Sequence, residues 1–142
     1  MNDFTLANQE SLDELAWAME ACQGQFCLML ARCNYGYLQQ RLIQQLQEEC
    51  TFNIRVIHLK PEDRTLFSTV RSQLGQEIPS ALMVSGFAAL DNLDDMFAAM
   101  NQVREEFRKN FPFPFILWMN DRVYIRLLRI APDFESWATT TA

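Results

Sequence analysis

The sequence predicts an α/β domain of three layers: a mainly parallel sheet of about four strands with helices on both faces, entered through an amphipathic helix. Short, almost wholly apolar runs at 26–31, 81–84 and 115–119 mark strands covered on both sides. Between them, apolar residues recur at helical spacing. Gly24, Gly75, Pro79 and Pro132 stand where one pattern gives way to the next. Strands alternating with helices imply right-handed crossovers and therefore parallel neighbours.

The entry helix is predicted over about 10–22, with Leu12, Leu15, Ala16 and Met19 as its apolar stripe. Ser11 and Glu14 have the spacing of a capping box at its start, and Gly24 supplies a left-handed stop. The first strand leads into a helix over 35–49, where Leu38, Leu42 and Leu46 recur every four residues beside Ile43. Residues 52–59 alternate, with Phe52, Ile54, Val56 and His58 on one face, as in a strand near a sheet edge. Pro61 opens the turn into a helix carrying Leu66, Phe67, Val70 and Leu74, which Gly75 ends. Pro79 precedes the third strand, expected to be central.

Asn92 is expected to cap one long helix that continues through Phe107, with Asp94 and Asp95 at its positive end and Val103 on its apolar stripe. Pro112 and Pro114 stop it, and the fourth strand follows. A last helix starts at Asn120-Asp121, carries Val123, Tyr124, Leu127 and Leu128, and ends before Pro132. No repeat, linker or low-complexity stretch divides the chain, so 1–142 reads as one domain. Its tail, from about 133, reads as a connection to a further segment.

A chain of 142 residues hides roughly two thirds of its extended surface on folding. Its 49% apolar and 21% charged content is that of a folded domain. Twelve Lys and Arg against eighteen Asp and Glu leave a formal charge of −6, which argues against nucleic acid as a partner. No apolar run reaches the roughly 18 residues of a membrane span, and Met1-Asn2-Asp3-Phe4 lacks a signal-peptide pattern. The expectation is a cytoplasmic protein that engages no membrane. Cys22, Cys27, Cys33 and Cys50 form no Cys-x-x-Cys pair and are expected to stay reduced, with Cys27 and Cys33 on one face of the first strand as small hydrophobes. With His58 as the only histidine, no zinc ligand set is expected.

Ligands of open α/β sheets bind outside the carboxyl ends of the strands, which here end near Arg32, Cys33, Asn34, Lys60, Ser85, Gly86, Asn120 and Asp121. Of these, Arg32, Asn34, Lys60, Ser85 and Asn120 are the positions expected to touch a ligand, if one binds. Catalytic groups are scarce among them. The first strand-to-helix junction reads Arg-Cys-Asn-Tyr-Gly-Tyr: Gly36 is its only glycine, no Lys-Ser or Lys-Thr follows, and Tyr35 and Tyr37 put bulk where a backbone must approach phosphate. The third strand ends Val84-Ser85-Gly86, and the nearest following acid is Asp91. Asp91, Asp94 and Asp95 suit a helix start better than a loop of convergent metal ligands.

His58 has no serine or cysteine beside it in sequence to act with it. No catalytic residue, metal or cofactor is expected. Arg122, Arg126 and Arg129 line one side of the last helix, facing either water or an acidic partner. Trp17, Phe113, Trp118, Phe134 and Trp137 are either core residues or partner anchors. The interface positions expected are Trp17, Arg122, Arg126, Phe134 and Trp137, the last two in a tail with little core left to enter.

A resemblance is carried by Gln25-Phe26-Cys27-Leu28 with Arg32-Cys33-Asn34, by Ala81 to Leu90, by Arg104-Glu105-Glu106-Phe107 through Phe115-Ile116-Leu117-Trp118-Met119-Asn120, and by Ala131-Pro132-Asp133-Phe134-Glu135-Ser136-Trp137. Across nearly its whole length the chain resembles the degenerate P-loop NTPase-like domain at the front of bacterial, especially cyanobacterial, multidomain signalling proteins with tetratricopeptide or WD40-type repeats. The resemblance implies a sheet related to that of signal-transduction (AAA-like) NTPases, with the third strand in the place of the metal-binding strand and the fourth in that of the sensor strand. The chain departs from an active member at both places: 31–37 holds no phosphate loop and no acidic pair follows Val84. The expected function is a non-catalytic protein-interaction or regulatory module whose partner is another protein or a second copy. The alternative is a nucleotide or anion sensor that binds without hydrolysis. A receiver or thioredoxin-like fold is weaker, because the first strand lacks terminal acids and Cys-x-x-Cys is missing.

Overall fold

The computed structural model describes the backbone of residues 2–141 and the side chains of 9–139. Five strands, β1 (Cys27–Arg32), β2 (Ile54–His58), β3 (Ala81–Ser85), β4 (Pro114–Met119) and β5 (Ala138–Thr141), form one sheet in the order β2-β3-β4-β1-β5. Every pairing is parallel. The alternation along each strand divides the core in two. Leu28 and Leu30 of β1, Leu82 and Val84 of β3, and Phe115 and Leu117 of β4 enter one cluster. Met29, Ala31, Ala81, Met83, Ile116 and Trp118, on the intervening positions, enter the other.

The first cluster is closed by α3 (Leu66–Leu74), α4 (Leu93–Gln102), α5 (Arg104–Asn110), α6 (Asp121–Ile130) and the short α7 (Pro132–Glu135). It is aromatic. Phe107 sits 5.2 to 5.8 Å, ring centre to ring centre, from Phe67, Phe111, Phe115 and Phe134. Aromatic pairs of this kind contribute about 0.5–1.5 kcal/mol each beyond their buried area. The second cluster lies under α1 (Asn2–Ala21) and α2 (Gly36–Glu49), which supply Leu12, Leu15, Met19, Ile43 and Leu46. Cys22, Cys27, Cys33 and Cys50 pack around its margin as free thiols.

The three-layer α/β expectation holds, and β2 is an edge strand as its alternation predicts. Several expectations need correction. The sheet has five strands rather than about four, since 138–141 pairs with β1 as an edge strand. Its Ala-Thr-Thr-Thr sequence carries no apolar run, but threonine's branched β-carbon suits extended backbone and an edge needs burial on fewer sides. The tail also finds core to enter: Phe134 is fully buried, and Trp137 lies half-buried 6.4 Å from the ring of Phe26, with the Arg108 guanidinium 5.2 Å above it.

The entry helix begins well before residue 10, so Ser11 lies inside α1 and caps nothing. The single long helix through Phe107 is two helices, broken at Val103 (φ −108°, ψ 23°), which is exposed rather than on a buried stripe. At the break Arg104 donates to the Asn101 carbonyl at 2.5 Å. The Asn101 side chain accepts the Phe134 amide at 2.9 Å, so the interrupted turn anchors the start of the tail. Pro132 ends α6 as expected and also opens α7 as its first residue, where a missing N–H costs nothing. Among the described residues, no helix is long and apolar enough to cross a membrane. Ala142 lies outside the described residues.

Candidate functional site

β1 and β4 are neighbours, yet the helices that follow them pack on opposite faces of the sheet: α2 joins the second cluster and α6 the first. This is the topological switch point where open α/β sheets form a binding crevice. A crevice of about 180 Å³ lies there, lined by Cys33, Asn34, Gly36, Gln39, Gly86, Trp118 and Asn120 among others. It falls below the roughly 300–1,000 Å³ of sites that enclose a drug-sized ligand.

Most polar groups of the crevice are engaged by the chain itself. Asn34 Oδ1 accepts the Asp121 amide at 2.8 Å, while Asn34 Nδ2 donates to Asp121 Oδ2 at 3.0 Å. This two-point bond ties the loop after β1 to the first residue of α6. Beside it the Cys33 amide donates to the Met119 carbonyl at 3.0 Å, and Asn120 Oδ1 caps α6 by accepting the Val123 amide at 2.8 Å. Arg32 approaches Asp121 at 3.7 Å and lies 4.9 Å over the Tyr124 ring. Burial, followed by the nearby Glu135 carboxylate, raises the Tyr124 pKa, and Arg32 opposes that rise.

One group at the crevice remains open. The amino end of α2 has no side-chain cap and no acid in its first turn. A Cβ built on Gly36 would meet nothing within 4 Å, so glycine is not required there by the chain's own packing. Trp118, 3% exposed, borders both this crevice and a smaller cavity beside Leu12, Leu15 and Leu42, and its Nε1–H is buried with no hydrogen-bond partner among the described residues. Such an orphaned donor costs about 1–3 kcal/mol.

The remaining expected positions lie apart from this crevice or line only its rim. Lys60 is exposed in a turn where its own amide donates to Asp63 at 2.8 Å. Ser85 is 1% exposed, with Oγ 2.5 Å from Nδ1 of His58, because parallel register pairs the last residues of β2 and β3. Sequence reading missed this pair, since the two residues stand 27 apart. The signal that finds it is that each closes a strand and that the strands are neighbours. A buried serine with no carboxylate hydrogen-bonded to its histidine among the described residues has the form of a structural contact. Gly86 follows with φ +99°, and a Cβ there would stand 2.8 Å from the Leu59 carbonyl oxygen.

Among the described residues, no group of three or more His, Cys, Asp or Glu side chains could hold a metal ion. Asp94 instead receives Arg126, through Nε at 3.1 Å and through Nη2. Of the interface positions, Trp17 is 73% exposed and Arg122 is exposed, Arg126 is tied to α4, and Phe134 and Trp137 belong to the core and its margin. Ile125 and Leu128, exposed on α6, and Tyr35 and Tyr37, exposed where α2 begins, were not singled out as interface positions by sequence reading.

Burial, then the adjoining Cys22 thiol, pushes Cys27 up to about 12, and burial together with Glu49 and Glu20 raises Cys50, so these thiols are poor nucleophiles at neutral pH. In sequence, the chain matches no protein-family model and no curated protein.

Proposed function

We propose that this chain is a non-catalytic protein-interaction or regulatory module of the cytoplasm, built on a degenerate P-loop NTPase-like scaffold and engaging another protein or a second copy. The observation that carries the reading is the Asn34–Asp121 bond across the switch point. Where phosphoryl transfer needs a free cradle, a lysine and a metal-holding carboxylate, this corner joins its own two loops together. The reading is tested by incubating the purified protein with ATP or GTP and Mg²⁺ and measuring phosphate release. No turnover above buffer is expected, and turnover abolished by Asn34→Ala or Asp91→Ala would overturn it.

A second reading, a nucleotide or anion sensor without hydrolysis, is favoured by the uncapped, acid-free start of α2, whose Gly36 lines the crevice. Thermal unfolding against a nucleotide and phosphate panel separates the two. A ligand at 100 times its Kd adds about 2.7 kcal/mol to stability, and a flat panel favours the interaction module.

A further inference from the structure

We infer that copies of this chain associate head to tail, the acidic, tryptophan-bearing face of α1 on one copy receiving the basic, apolar face of α6 on the next. The inference rests on the interaction-module reading and names its partner.

α1 carries Glu10, Asp13, Glu14 and Glu20 and no lysine or arginine along its length. Trp17 projects from its outer side, 73% exposed, and with Asp13, Glu14 and Ala18 makes up the described lining of an open hollow of about 440 Å³. An exposed indole beside a concavity and a pair of carboxylates calls for an apolar side chain flanked by cations, because the indole face attracts guanidinium as well as hydrocarbon. α6 presents that combination. Ile125 and Leu128 are 51% and 39% exposed three residues apart, with Arg122 and Arg129 exposed beside them. Arg126 is held by Asp94, whereas Arg122 and Arg129 enter no ion pair among the described residues.

In a chain of net charge −6, three of whose twelve cationic residues lie on this ten-residue helix, α6 is a concentrated match for α1. The two surfaces cannot meet within one molecule, since α1 and α6 pack on opposite faces of the sheet. The contact is therefore heterologous: a pair keeps one free α1 face on one copy and one free α6 face on the other, and association continues into a ring or an open chain.

The test is sedimentation velocity of the whole chain over a concentration series at low and high salt. Weight-average mass should rise with concentration and fall with added salt. Trp17→Glu and Ile125→Glu, both at exposed positions, should each lower the association constant by at least about thirtyfold while leaving the thermal unfolding midpoint in place. An equimolar mixture of the two should form a dimer that grows no further, because one variant retains the α6 face and the other the α1 face. Three results would overturn the inference: a wild type that stays monomeric throughout, an assembly that neither substitution weakens, or a mixture that stays monomeric. None of these touches the phosphate-release and ligand-panel tests, so the self-association and the non-catalytic reading fail separately. The first of the three results includes a chain that binds a basic peptide at Trp17 but does not self-associate.

Discussion

The two faces of the sheet are built from different materials. Under α3 to α7 the core is a continuous array of phenylalanine rings centred on Phe107. Under α1 and α2, among the described residues, no phenylalanine is buried and Trp118 is the one buried aromatic; three of the twelve buried residues there are methionines, against three of twenty-three on the first face, and four thiols lie at the margin. Phenyl rings have few rotamers and defined mutual angles, so the first face specifies a geometry. Thioethers fill irregular space and tolerate change, so the second face accommodates rather than dictates. The groups whose hydrogen bonding is incomplete or unusual, the Trp118 Nε1–H and the His58–Ser85 pair, belong to the α1 and α2 side, as does the exposed Trp17. The aromatic face holds the molecule together, and the softer face carries its unengaged chemistry.

Truncation gives the largest expected contrast. Phe107→Ala should lower unfolding free energy by about 3–5 kcal/mol in a denaturant titration, whereas Met83→Ala on the opposite face, where flexible neighbours can collapse into the space, should fall at the low end of about 2–5 kcal/mol. Equal losses would erase the distinction between the faces. Gly86→Ala comes next, at about 1–3 kcal/mol, since the residue holds φ +99° and the new Cβ would press on the Leu59 carbonyl oxygen 2.8 Å away.

A smaller effect comes from pH. Cys27 keeps its proton in the folded chain from its ordinary 9.0 up to about 12, while the unfolded chain releases it near 9. The stability contributed is complete below pH 9 and is lost as pH rises from 9 toward 12. Urea midpoints should fall over that window, less steeply in Cys27→Ala, and alkylation of Cys27 at neutral pH should be slow. Trp118→Phe is the smallest, within about 1 kcal/mol of wild type, because relief of the unpartnered N–H, about 1–3 kcal/mol, offsets the buried volume that the smaller ring gives up.

Much of the architecture was legible because two-sided burial leaves a mark: β1, β3 and β4 are apolar at nearly every position, and glycine or proline bounds their neighbours. β5 was not legible, since an edge strand of threonines has neither an apolar run nor an alternation to detect. The break at Val103 was hidden for a different reason. Helical spacing runs through it undisturbed, and the tertiary bond that accompanies it, from the Phe134 amide to the Asn101 side chain, joins residues 33 apart. The candidate crevice was half legible. The absence of phosphate-loop residues could be read from 31–37, but the Asn34–Asp121 bond that occupies the corner depends on which strands are neighbours, and strand order is not written in local pattern.

That strand order bears on how the chain acquires its structure. β1 is made early but lies between β4 and β5, so its first partner, Pro114 opposite Cys27, is 87 residues downstream. At roughly 5–20 residues per second, translation leaves this apolar strand without a neighbour for about 4–17 s, while β2 and β3, joined by α3 alone, can already pair. β1 can add to the sheet only once β4 is made, and β5, whose one neighbour is β1, only after that, so both pairings on this side of the sheet are non-local steps of the kind that slow folding.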